Sequence, residues 1–127
     1  MIEKYQQIVK MLLSLTSEGK VEWEKTSANE YKAAIGNNYI SIHYHEPNSY
    51  VFIKNSTPDV ASVMLMLWNQ NGELLDTEIV EKSEYGSTDF DNLMNLYVAA
   101  RRSYGNVYDT LDDIISDLDK VANKSAT

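Results

Sequence analysis

His43 and His45 stand two residues apart with Glu46 next in line, and on an extended segment side chains at i and i+2 leave the backbone on the same face. Two imidazoles so placed are a start towards holding a divalent metal, but a site needs a third and usually a fourth ligand. The chain has no other histidine and no cysteine. The missing ligands would have to be carboxylates, and the simpler expectation is a pair of solvated or hydrogen-bonded strand histidines. No metal and no cofactor is assigned; a metal-dependent enzyme at His43 and His45 stays as a minor alternative.

Other chemistry finds less material. There is no thiol, no G-x-S-x-G elbow, and the five glycines stand singly at 19, 36, 72, 86 and 105, so neither a nucleophile turn nor a phosphate-cradling loop is present. Carboxylates are plentiful at Asp109, Asp112, Asp113, Asp117 and Asp119. Acid–base catalysis needs such groups in a cleft with shifted pKa values, whereas these fall opposite an apolar helical stripe, on a solvated face. Asp117 and Asp119 also sit near a helix C-terminus, where the dipole disfavours negative charge, so helix stability does not explain them. Asp109, Asp113 and Asp117 are therefore candidate partner-binding residues.

Arg101 occupies a position in the apolar stripe beside Tyr97, Tyr104 and Tyr108. It is expected to be partly buried, stacked on a tyrosine and paired with a sheet carboxylate, or else part of an arginine–tyrosine recognition patch. Nine of the thirteen aromatics are tyrosines; Tyr39, Tyr50 and Tyr85 fall near strand ends or turns, as contact-surface rings or half-buried sheet positions.

Positioning these residues requires the following elements. Residues 2 to 18 read as an amphipathic helix, with Ile2, Tyr5, Val9 and Leu12 on one stripe and Gly19 as its stop. The period then changes to two. Strands are expected over 21–26, 31–35, 39–45, 50–54, 60–69 and 73–81, although the composition of 31–35 also suits a short helix. Gly36-Asn37-Asn38 and Asn71-Gly72 are turn signals, the second a two-residue hairpin. In the last strand Leu75, Thr77 and Ile79 share one face and Asp76 and Glu78 the other, so one face is wet. Asn55-Ser56-Thr57 matches a glycosylation sequon but reads as the start of a turn continued by Pro58-Asp59.

Ser87 or Thr88 can cap a final helix whose first turn carries Asp89 and Asp91. Counting Phe90 as a, the a positions are Phe90, Tyr97, Tyr104, Leu111 and Leu118; the d positions are Leu93, Ala100, Val107, Ile114 and Val121. Met94, Arg101, Tyr108, Ile115 and Ala122 at e widen the stripe beyond a coiled-coil seam, which suits a helix lying across a sheet. The register holds through Gly105, so one long helix, bent there, is preferred over two.

Val63 to Trp68 is apolar at every position, so both faces of that strand want cover. One face packs on helices; the other presents Met64, Met66 and Trp68. Either the N-terminal helix crosses this second face and makes a third layer, or the three side chains form an interface, homodimeric or with a partner.

Size and charge bound the whole. The 127 residues make one domain, spanning 1–127, with an expected folded surface of roughly 6,900 Å² and a core that needs no disulfides. A hydrophobic fraction of 43% argues against disorder. The net charge of -8 makes nucleic-acid binding by a basic surface an unpromising reading. It is also unevenly spread: residues 1–72 hold seven acids and six bases, residues 73–119 twelve and three, and the last eight add two lysines. Neither a secretory signal nor a membrane span is visible, so the expected compartment is the cytoplasm, without membrane partners.

Trp23-Glu24-Lys25-Thr26, then Tyr31-Lys32-Ala33, a hairpin, Leu96-Tyr97-Val98-Ala99-Ala100-Arg101-Arg102 and Tyr108-x-x-Leu111-Asp112-Asp113-Ile114-Ile115 resemble small uncharacterised bacterial proteins with a W-x-x-T strand and an L-Y-x-x-A-R-R helix. The resemblance spans most of the chain and implies a compact α+β fold and a bacterial or phage-related origin, with no activity attached.

The expected architecture is α+β: an N-terminal helix, an antiparallel meander of five or six strands, and a long C-terminal helix packed across the sheet. The expected function is a non-enzymatic protein-interaction module that self-associates as a homodimer or binds a protein partner. The alternative is an acidic inhibitor or immunity-type protein that masks a basic toxin or a nucleic-acid-binding enzyme.

Overall fold

A computed structural model of the chain describes residues 1–47, 60–83 and 86–124. The expected strand 50–54, the Asn55-Ser56-Thr57 triplet, Tyr50 and Tyr85 lie outside the described residues. The first helix, α1, spans Glu3–Ser17 and buries Tyr5, Val9, Leu12 and Thr16, a four-three-four spacing that keeps one stripe inward. Gly19, at φ 73°, lets the Lys20 amide reach back to the Leu15 carbonyl at 2.9 Å and closes the helix.

The five strands β1 (Trp23–Ser27), β2 (Glu30–Ile35), β3 (Asn38–His45), β4 (Ser62–Trp68) and β5 (Leu74–Glu81) form an antiparallel meander in chain order. Residues 31–35 are strand, not helix, because Tyr31 and Ala33 alternate into the core. The Asn71-Gly72 turn is longer than a two-residue hairpin. The Asn69 amide donates to the Glu73 carbonyl at 3.0 Å across the turn, and the Asn69 side-chain carbonyl accepts from the Asn71 and Glu73 amides, each at 3.0 Å, with Gly72 at φ 81°.

Cross-strand pairing puts Asp76, Leu67, Ile40, Ala33 and Trp23 in one row on one face of the sheet. Helix α1 runs along that row: the Tyr5 hydroxyl donates to Asp76 at one edge, and Trp23 Nε1 donates to Thr16 Oγ1, 3.0 Å away, at the other. From Tyr5 to Thr16 a helix rises about 17 Å, close to the ~19 Å of four strand spacings. Helix α2 (Thr88–Tyr104) crosses the same face beside α1, capped by Ser87 Oγ, which accepts from the Phe90 amide at 3.2 Å. Phe90, Leu93, Leu96, Tyr97 and Ala100 are its buried positions. The N-terminal helix therefore does not cross the second sheet face, and no third layer arises from it.

Two expectations are corrected. On β5, Asp76, Glu78 and Val80 share the helix-covered face, and Ile79 and Leu75 point away, 56% exposed each. The acids are accepted on the inner side because that edge lies at the helix N-termini, where Tyr5 serves Asp76 and the Met1 ammonium lies 3.0 Å from Asp89 and 3.9 Å from Glu78. The C-terminal helix is also divided. It stops at Gly105, turns through Asn106 at φ 48°, and resumes as α3 (Val107–Lys124). As one rod, residues 88 to 124 would run about 55 Å, far beyond a sheet about 19 Å across.

Helix α2 uses up the sheet. Among the described elements helix α3 comes close in backbone only to α2, and it has no buried residue. The accessible surface of 9344 Å² exceeds the size expectation of roughly 6,900 Å², and α3 is one contributor.

Candidate interaction surface

His43 and His45 do share a face of β3, the one opposite the helices, across from Met64 and Ser62. His43 Nδ1 lies 3.9 Å from Glu30 Oε1 on the neighbouring strand. Among the described residues no three His, Asp or Glu side chains are gathered so as to hold a metal ion.

Met64, Met66 and Trp68 are brought together on that same face, opposite the helices, as their alternation requires. They do not project as a free ridge. Met66 is buried, and Met64 and Trp68 are half-buried. The Trp68 indole lies down on its own sheet, donating to Ser41 Oγ at 2.8 Å, and Lys32 Nζ sits 4.3 Å from the Trp68 ring centroid and 5.0 Å from that of Tyr39. The apolar surface continues outward to Ile79 and Leu75, which the expected orientation of β5 had turned inward.

Arg101 is exposed, not partly buried, because α2 turns this position to the flank of its packed face. Its guanidinium is 5.8 Å from the Tyr97 ring centroid. Tyr97 is buried between Tyr31 and Tyr44, at 5.7 and 5.5 Å, and Tyr31 also meets Tyr104 at 5.7 Å. Burial, more than any neighbouring charge, holds the Tyr97 phenol above its ordinary pKa. Thus the arginine–tyrosine group exists, with its rings serving as core and Tyr104 at the rim, half in solvent.

A long run of exposed apolar side chains lies where the heptad pattern predicted sheet contact. On α3, Tyr108, Leu111, Ile114, Ile115, Leu118 and Val121 are between 48% and 69% exposed. Their three-four spacing places them on one stripe along an 18-residue helix about 27 Å long. Asp109, Asp113 and Asp117 are exposed on its other sides, Asp117 with Lys120 Nζ at 3.9 Å. The first turn of α3 helps to line a cleft of about 500 Å³ with Thr16, Ser17, Ala99 and Arg102 at the ends of α1 and α2.

No family model, no curated protein and no solved structure matches the chain. The W-x-x-T and L-Y-x-x-A-R-R resemblance stays where its residues put it. No helix among the described residues is long and apolar enough to cross a membrane.

The stripe on α3 was visible as a heptad pattern but was assigned to the wrong surface. The signal for its exposure was length: a helix more than twice as long as the sheet is wide cannot bury both halves against it.

Proposed function

We propose that the chain is a non-enzymatic protein-interaction module whose docking surface is the apolar stripe of α3. The observation that carries this is the exposure of six large apolar side chains along one helix whose closest backbone neighbour among the described elements is α2. A contiguous apolar patch of several hundred square ångströms usually marks an interaction site in a soluble domain. The non-enzymatic side of the reading rests on the sequence, in which no nucleophile motif, ligand set or phosphate loop stands out. Met64, Trp68 and Ile79 on the sheet face opposite the helices are a second apolar region, and Arg101 with Tyr104 borders the start of α3.

The experiment is site-specific photo-cross-linking in the native cell, with the reactive residue at Leu111 or Leu118 in one pair of variants and at Asp109 or Ser116 in another. Adducts of defined mass from the apolar positions, lost when Ile114 is changed to Glu, support the reading. Equal labelling from both faces, or none from Leu111 and Leu118, overturns it.

A second reading is favoured by the exposed row Asp109, Asp113 and Asp117: an acidic face that masks a basic partner. It requires binding that weakens with salt and is lost when the three become Asn.

A further inference from the structure

We infer that the occupant of the α3 stripe is α3 of a second copy, packed antiparallel across a twofold axis that meets the stripe at the level of Ser116, which itself faces away. This rests on the reading of α3 as a docking surface and names what docks there.

Pattern is the first support. Leu111, Ile114, Leu118 and Val121 recur at three-four-three spacing, the a/d repeat of a helix that packs on another helix of the same repeat. A twofold pairing needs a self-complementary patch. Antiparallel layers that put a against d bring Leu111 onto Val121 of the second copy and Ile114 onto Leu118, so each described seam residue of α3 from Leu111 onward meets a partner without slippage.

Charge chooses the direction. The first half of α3 carries Asp109, Asp112 and Asp113 and no base, while in the second half Asp117 and Asp119 are balanced by Lys120 and Lys124. A parallel pair would set two acidic halves side by side; the antiparallel pair sets each acidic half beside a neutral one and opposes the helix dipoles. Asp117, at g, is the exception, brought near its own copy beside the axis.

Area sets the strength. Six side chains leaving on the order of 100 Å² each in solvent offer about 600 Å² per copy, or about 1,200 Å² for the pair, the lower limit for stable specific interfaces. An interface at that lower limit forms and dissociates reversibly, and with like-charged subunits it tightens as salt screens them.

The test is sedimentation of the full chain from micromolar to a few hundred micromolar, between about 20 and about 500 mM salt. The expected result is a reversible monomer–dimer equilibrium that strengthens severalfold with salt. The dimer should be abolished by Ile114→Glu with Leu118→Glu at unchanged circular dichroism, and tightened two- to threefold by Asp117→Asn. Because the chain has no native cysteine, mixed Leu111→Cys and Val121→Cys chains should cross-link to each other on oxidation, and neither to itself. A monomer at every concentration overturns the second copy while photo-cross-linking still judges the docking surface. A dimer indifferent to the glutamate pair overturns the α3 seam, again leaving the docking surface to photo-cross-linking; self-linking of each cysteine variant overturns the antiparallel seam, and weakening by salt overturns the charge assignment.

Discussion

The Tyr5 hydroxyl, in the first turn of α1, donates a hydrogen bond to the carboxylate of Asp76 on β5. That hydrogen bond, followed by burial, pushes the phenol from its ordinary value of 10.0 up to about 12. The folded protein therefore holds this proton more tightly than the unfolded chain. The stabilisation is fully present below about pH 10 and is lost as pH rises from there to about 12. In an ultraviolet titration the Tyr5 tyrosinate should appear late, alongside that of buried Tyr97, and Tyr5→Phe should remove one late-titrating phenol together with this part of the alkaline loss of stability; the same alkaline profile in the variant would contradict the assignment.

Thr16 closes the opposite end of α1, accepting from the buried Trp23 indole. Thr16→Val keeps the shape and strands that N–H, which should lower stability by about 1–3 kcal/mol in denaturant unfolding. Thr16→Ser retains the acceptor and should lose clearly less.

Leu93 on α2 is fully buried, and Leu118 on α3 is 61% exposed. Leu93→Ala should cost about 2–5 kcal/mol. Leu118→Ala, measured at concentrations where the chain is monomeric, should stay within about 0.5 kcal/mol. A large loss at Leu118 would show that α3 packs on its own domain.

Hydrogen exchange separates the two C-terminal helices. An isolated helix of this length is marginal in water, so α3 amides should exchange orders of magnitude faster than those of α2 around Leu93 and Leu96 when the protein is dilute. Raising the concentration should protect α3 selectively. Equal protection of α2 and α3 in dilute solution would be incompatible with the exposed helix.

Much of the α+β architecture was legible residue by residue. The four-three-four spacing of Tyr5, Val9, Leu12 and Thr16, the alternation through Ile40, Ile42 and Tyr44, and Ser87 before Asp89 each identify an element because local periodicity reports which side of a backbone is buried. The orientation of β5 was not legible. Its alternation separates Asp76 and Glu78 from Leu75 and Ile79 but cannot tell which set faces the helices, and the inner position of the acids depends on Tyr5 and the helix N-termini, which are distant in sequence.

The same limit governs the candidate surface. By itself the sequence determined that one apolar stripe runs from Phe90 to Val121 with the aspartates set off from it, because heptad spacing is a property of the helix alone. Only the tertiary structure decided that Phe90 to Ala100 is core and Tyr108 to Val121 is exposed. Burial depends on how much opposing surface exists: a five-stranded sheet is as wide as α2 can cover, and the chain turns at Asn106 with half its apolar stripe still in water.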